Sequence, residues 1–266
     1  MSNRKPAPLR ERDITRQIAR EYYKEFDQLI ESDVIVVGAG PSGLICARDL
    51  AAMGFRTLIV EQALALGGGF WSGGYLMNKA TICAPANETL EELGVPCKQV
   101  KDCDGMYIVD PPHATGALVA AAYKAGAKIL NLTRVVDLIL RGDGVLEGVV
   151  VNNTTAETAG HDVVHVDPIA LESRIVVDAT GHDAVVVNLL HRRNLYRPVP
   201  GNGAMWVSRS EEKVLEHTGE VYPNCFVVGL AVAAVYGTPR MGPAFGSMLL
   251  SGRYGAELIK KKLKQE

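Results

Sequence analysis

No two of the five cysteines in this 266-residue chain are spaced as C-x-x-C, and five is an odd number. That argues against a zinc knuckle and a disulfide framework, and leaves buried thiols as the expected role of Cys46, Cys83, Cys97, Cys103 and Cys225. A basic block is also missing. The 28 Lys and Arg residues face 30 Asp and Glu for a net charge of −2, so nothing points to nucleic acid and small molecules are the expected ligands. The first residues hold no apolar signal-peptide core, and the long uncharged stretch Val221 to Pro239 is broken by Pro223, Asn224, Gly229 and Gly237. A cytoplasmic protein without membrane contact is expected. No internal repeat is visible. Apolar residues are plentiful at 47%, enough to fill a sizeable core. Residues 1–266 are expected to form a single dinucleotide-binding-type domain.

The reason for that expectation is the run Asp33-Val-Ile-Val-Val-Gly-Ala-Gly-Pro-Ser-Gly-Leu44. Val34 to Val37 suit a parallel strand covered on both faces. Gly38 permits a tight turn, Gly40 lets backbone N–H groups approach phosphate, Gly43 lets the following helix pack close to the strand, and Pro41 suits a first helical turn. A second apolar strand, Thr57 to Val60, ends in Glu61, roughly 20 residues beyond the turn and placed to accept hydrogen bonds from a ribose diol. The set predicts an adenosine diphosphate site. A carboxylate at Glu61 repels a 2′-phosphate, so NAD or FAD fits better than NADP.

Elsewhere the pattern predicts an α/β chain of Rossmann-like fold with a β-rich insertion. Residues 1–10 read as a loose tail. Ile14, Ile18, Tyr22, Phe26 and Leu29/Ile30 recur at helical spacing over Glu11 to Ile30, predicting an amphipathic helix that packs on its own domain or, alternatively, meets a second subunit. Gly67-Gly-Gly-Phe-Trp-Ser-Gly-Gly74 is too glycine-rich for regular structure and reads either as a nest of N–H groups for an anion or as a hinge. Helices are predicted at Glu88 to Leu93 and Thr115 to Ala125, and strands at Lys128 to Leu132 and Val135 to Leu140. The Gly142-Asp143-Gly144 turn makes a hairpin of the latter and Val145 to Val151. The polar run Asn152 to Gly160 reads as a surface loop. Residues from about 65 to 170 form a partly separate layer. Strands ending at Asp178 and Val228 return to the main sheet, and small residues Gly246, Ser247, Ser251, Gly252 and Gly255 let a final helix approach the nucleotide-binding strands. Chemistry is expected just after residues 37, 60, 178 and 228, outside the carboxyl ends of the strands.

His161, Asp162, His165, Asp167, His182 and Asp183 crowd one stretch. Alternation in an extended segment puts His165 and Asp167 on one face, and Pro168 favours that extension. Such a set suits a divalent metal such as iron, yet the spacing is no standard metal motif and a hydrogen-bonded structural arrangement competes with it. Arg240, in the loop Tyr236 to Gly246, is apt for a bidentate grip on a carboxylate or for a surface salt bridge.

Six segments carry a resemblance to a known family: GAGPSG at 38–43, VEQ at 60–62, LGGGFW at 66–71, HVDP at 165–168, DATGHD at 178–183 and RMGPAFG at 240–246. Over roughly residues 11–260 the chain resembles the thiamine thiazole synthases, particularly their archaeal branch. The resemblance implies a dinucleotide fold of the glutathione-reductase type, a homo-octamer, and conversion of NAD, glycine and sulfur into an adenylated thiazole carboxylate with iron(II). It implies that Ser42, Glu61, Gln62 and Gly69 contact the ADP part beside Gly38, Gly40 and Gly43, that Val135 gives an adenine-side backbone contact, and that His165, Val166 and Asp167 of the HVDP run also meet the nucleotide. Asp167 and His182 resemble iron(II) ligands from neighbouring subunits, and Arg240 resembles the holder of the glycine carboxylate. Leu230 stands where a methionine is common, leaving only a backbone contact. His165 stands where single-turnover members carry a sulfur-donating cysteine, which implies free sulfide as donor, multiple turnover, and a proton-transfer role for this histidine. Two alternatives share parts of the pattern. A flavin-dependent oxidoreductase of the same fold would want an acid after Gly229, where Leu230 and Ala231 stand; a ribose-phosphate isomerase would have no use for Glu61 behind a pyrophosphate turn.

Overall fold

The computed structural model describes residues 6–265 apart from 143, 161, 164, 200 and 202. Asp143 of the predicted turn and His161 of the histidine-rich stretch lie outside the described residues. Among these, the chain runs α1 (Glu11–Asp27), β1 (Glu31–Val37), α2 (Pro41–Ala52), β2 (Thr57–Val60), β3 (Ala80–Cys83), α3 (Ala86–Glu91), β4 (Lys98–Gln99), β5 (Met106–Val109), α4 (Pro111–Ala125) and β6 (Lys128–Leu130). It continues through β7 (Thr133–Arg141), β8 (Val145–Asn153), α5 (Thr154–Ala159), β9 (Ile169–Asp178), α6 (Val185–Arg192), α7 (Val207–His217), β10 (Gly219–Tyr222), β11 (Cys225–Val227), α8 (Leu230–Tyr236) and α9 (Gly246–Leu263).

The main sheet has the order β10-β11-β9-β1-β2-β6, with β11, β9, β1, β2 and β6 parallel. It is the Rossmann-like α/β arrangement expected from the apolar strands. Register decides what this sheet can do. Val37 lies opposite both Val60 and Asp178, and Asp178 opposite Val227, so four strands end on one line. Their connecting turns therefore emerge side by side. Val34, Ile35, Val36, Leu58, Ile59, Val176 and Val177 are fully or almost fully buried, as parallel strands covered on both faces must be.

Helix α2 lies between α9 and α4. A Cβ on Gly252 of α9 would stand 2.4 Å from the Ser42 carbonyl oxygen, so one of the small residues of α9 serves contact with α2 rather than with a strand. Gly255 faces a strand-end residue: its Cβ would stand 2.5 Å from Val228 Cγ1.

The hairpin β7–β8 pairs through β8 with β9 and so extends the main sheet, whereas β3, β5 and β4 form a sheet of their own. Only the latter strands are separate from the main sheet within 65–170. The predicted loop Asn152 to Gly160 contains the one-and-a-half-turn helix α5 instead. Asn153 caps it, its Oδ1 accepting from Thr155 N at 2.9 Å, which satisfies an otherwise orphaned donor. The glycine-rich run is also more regular than expected, with short 3₁₀ turns at Gly68–Ser72 and Gly74–Leu76. Helix α1 differs from its first expectation as well. It has no buried residue, with Ile14, Ile18 and Tyr22 exposed; it is tied to the domain at its last turn, where Phe26 packs against the core and Lys128 Nζ meets Glu25 Oε1 at 2.6 Å, and just beyond it by the buried Leu29. No described helix is long and apolar enough to cross a membrane.

Candidate active site

The aligned strand ends open into a cavity of about 1080 Å³, just above the size usual for ligand sites. At one side lies the β1–α2 turn. Gly38 has φ +103°, and a Cβ there would meet the Ala179 carbonyl oxygen at 2.6 Å; at Gly43 it would meet the Gly38 oxygen at 2.0 Å. Both positions need glycine for packing. Gly40 and Gly69 have nothing within 4 Å of a built Cβ, so these two present bare backbone to the cavity. The glycine-rich loop is hydrogen-bonded onto this turn, Gly67 N donating to Ala39 O at 2.7 Å, while Phe70 is buried against Phe245. Glu61 is 8% exposed; its carboxylate accepts from Ala39 N at 2.8 Å and Ala63 N at 2.7 Å. These bonds fix its position beside the turn and leave one lone pair on each oxygen for a further donor.

Of the residues singled out in the sequence, Gly38, Gly40, Ser42, Glu61, Gln62, Gly69, Val135, His182 and Leu230 line this cavity, as does Asp183. Gly43 supports the turn from beneath. His165, Val166 and Asp167 stand on an exposed segment ahead of β9, apart from the lining residues; the Val166 carbonyl accepts from Asn152 Nδ2 at 3.4 Å. Arg240 is exposed and also outside the lining, its backbone bridging to Ala204 and Trp206 while Gly242 and Phe245 reach the cavity. Within one subunit, then, His182 is at the cavity and Asp167 and Arg240 are not. No group of three or more His, Cys, Asp or Glu among the described residues could hold a metal ion.

A profile of the Thi4 family matches residues 15–245. The chain belongs to the Thi4 family. It is 50% identical over 257 residues to a thiamine thiazole synthase of Aeropyrum pernix, covering 97% of this chain and 94% of that one. A thiamine thiazole synthase of Pyrococcus horikoshii is 41% identical, with 96% and 99% covered. The crystal structure of THI4 from Thermovibrio ammonificans superposes with a TM-score of 0.92 at 38% identity, covering 97% of this chain and 99% of that chain. A geranylgeranyl bacteriochlorophyll reductase-like protein from Thermoplasma acidophilum, at 14% identity and a TM-score of 0.52 over 88% of this chain and 79% of that one, shares the fold alone.

In this Thi4 chain the residue that organises the far side of the cavity is Asp178, which the sequence marks as a strand end and as the start of DATGHD without revealing its role. It is fully buried at the end of β9. Oδ1 accepts from Thr180 N at 3.1 Å and Thr180 Oγ1 at 2.7 Å, and Oδ2 from Val186 N at 2.8 Å and Val187 N at 3.1 Å. It thereby pins both ends of the 3₁₀ turn Gly181–Asp183 that carries His182. Burial pushes its pKa above the usual carboxylate range against the pull of those four donors. An acid closing an apolar strand and followed by Ala-Thr-Gly was the available signal. The cysteines lie elsewhere, none of them lining the cavity. Burial, together with Glu211, raises the Cys83 thiol to about 12, and burial with Glu91 raises Cys97 to about 11; Cys46 and Cys225 are buried and raised further. These four are protonated near neutral pH and poor nucleophiles.

Proposed function

We propose that the chain is a thiamine thiazole synthase that converts NAD, glycine and free sulfide into an adenylated thiazole carboxylate, with iron(II), over many turnovers. Family membership supports an enzyme of thiamine biosynthesis. The observation that carries the finer reading is a single cavity of dinucleotide size with bare-backbone glycines at the α2 N-terminus and the Glu61 acceptor on one side, and the His182 turn on the other. The pyrophosphate would lie on the α2 N-terminus, where free N–H groups and the helix dipole favour negative charge, and the ribose diol would donate to Glu61. With the nicotinamide gone, the exposed ribose carbon would isomerise to a ketone and condense with glycine, whose carboxylate Arg240 would grip in two-point fashion.

The donor set of His182 and Asp167, one nitrogen and one oxygen ligand, suits iron(II). Because one chain brings only His182 to the cavity, the reading requires Asp167 from a neighbouring subunit, within the octamer that the family resemblance implies. Iron(II) held by so few protein ligands would keep open positions for nitrogen, oxygen and sulfur donors together. Free sulfide as donor is supported by the four protonated thiols and by His165 in the sulfur-donor position. The flavoprotein alternative has no acidic contact after Gly229: Leu230 opens α8 there.

Mixed assemblies test the shared site. Asp167→Ala and His182→Ala are each expected to lose iron-dependent turnover, His182→Ala while retaining ADP affinity within about twofold, and assemblies reconstituted from both are expected to regain roughly a quarter of the turnover, because a quarter of the sites then have both ligands. No regain in verified mixed assemblies refutes the shared site. Unchanged iron content in His182→Ala removes His182 from it.

A further inference from the structure

The start of β7 carries a cation that neither the fold nor the proposed chemistry has used. Thr133 N donates to the Glu61 carbonyl at 2.9 Å, which fixes this end of β7 beside the ribose acceptor, and the next residue, Arg134, lines the cavity. Its Nε is buried and has no hydrogen-bond partner among the described residues. Two nearby polar groups each hold another partner. Asn152 stands opposite Arg134 across the β7–β8 pair, but its Oδ1 accepts from Asn153 N at 2.8 Å and its Nδ2 donates to Glu157 Oε1 at 2.7 Å. Asp137, the carboxylate of the same strand, is paired with Arg193. A buried guanidinium N–H without an acceptor is costly, and the residue that carries it lines the cavity.

We propose that Arg134 is a nucleotide-recognition residue whose Nε–H donates to an acceptor of the adenosine moiety, at the end of the cavity beside Glu61. The assignment rests on the nucleotide-binding reading above and adds a side-chain determinant to it. A guanidinium also presents a flat cationic face to a purine, but the unpartnered donor is what specifies the contact.

Titration calorimetry with ADP, alongside thermal unfolding of the ligand-free protein, tests this on full-length Arg134→Met and Arg134→Lys. Methionine keeps an apolar stem and removes the donor; lysine keeps the charge but not an N–H at that depth. Both variants are expected to bind ADP roughly tenfold to 150-fold more weakly, the range for a lost charge-assisted hydrogen bond, with the ligand-free Arg134→Met melting at or above the wild-type temperature because an orphaned donor is gone. Wild-type affinity in Arg134→Met overturns the proposal and leaves the nucleotide reading standing, as does full affinity in Arg134→Lys. A lowered melting temperature of the ligand-free Arg134→Met shows a structural role and also overturns it. Absence of ADP binding by the wild-type protein overturns the nucleotide reading itself.

Discussion

Replacing Asp178 by alanine removes the acceptor for four donors at once. Thr180 N and Thr180 Oγ1 are only partly buried and can turn to water, whereas Val186 N and Val187 N sit in the core. Two buried amides left without acceptors cost roughly 1–3 kcal/mol each, so about 2–6 kcal/mol in all, a large share of the roughly 5–15 kcal/mol by which a domain is folded. At about 2–4 °C per kcal/mol for a chain of this size, the melting temperature should fall by roughly 4–24 °C. Asp178→Asn should cost less, since its carbonyl can still face the two valine amides while its NH₂ meets Thr180 Oγ1, leaving only the Thr180 N–H opposed. The pH dependence has a definite sign. Burial raises the folded pKa of Asp178, so ionising it works against folding: its contribution is greatest below the ordinary carboxylate pKa of about 3.9 and declines as pH rises through the raised value. The alanine variant should lose that slope. Thermal unfolding followed by circular dichroism across pH 4–8 measures all three. A melting temperature of Asp178→Ala within about 2 °C of wild type would refute the assignment of Asp178 as the anchor of the His182 turn.

Gly43→Ala should fail to fold or melt far lower, because its Cβ would press on the Gly38 carbonyl at 2.0 Å, whereas Gly40→Ala, with open space around it, should keep its melting temperature and lose ADP affinity by calorimetry. Glu61→Arg should weaken NAD and admit NADP, with a stability loss of about 1–3 kcal/mol for the buried Ala39 amide it orphans; unchanged NAD affinity would contradict the ribose assignment. Arg240→Lys should raise the glycine requirement roughly tenfold to 150-fold in steady-state kinetics, as a two-point carboxylate contact is lost. Alkylation of the native protein at pH 7.5 should mark the exposed Cys103 ahead of the four shielded thiols, read by peptide mass.

The core of the fold was legible because its signals are local. Val34 to Val37, the glycine turn and the second strand ending at Glu61 each follow from residue type, and the structure places them as the periodicity implies. That the strands closing near 37, 60, 178 and 228 share one sheet, with the chemistry beyond their ends, was legible as well. The docking of the β7–β8 hairpin onto β9 was not, because it depends on cross-strand packing, so the hairpin read as part of a separate layer. Strands β3 and β5 and helix α8 are short, four to seven residues, too short for a clear period. At the site, residues adjoining strand ends came together in the cavity; Asp167 and Arg240 did not, since nothing in a sequence reports which exposed loops meet. The roles of Asp178 and Arg134 were missed for a different reason. Each is an ordinary polar residue at a strand terminus, and its importance appears only when its hydrogen-bond partners are counted.

The central claim is tested most directly by incubating the wild-type protein anaerobically with NAD, glycine, sulfide and iron(II). Released nicotinamide and adenylated thiazole are counted per subunit by mass spectrometry, and the spent protein is weighed intact. The expected result is several equivalents of both products per subunit and an unchanged protein mass. No nicotinamide, or at most one product per subunit with a protein mass loss of about 34 Da from a cysteine surrendering H₂S, would contradict the account.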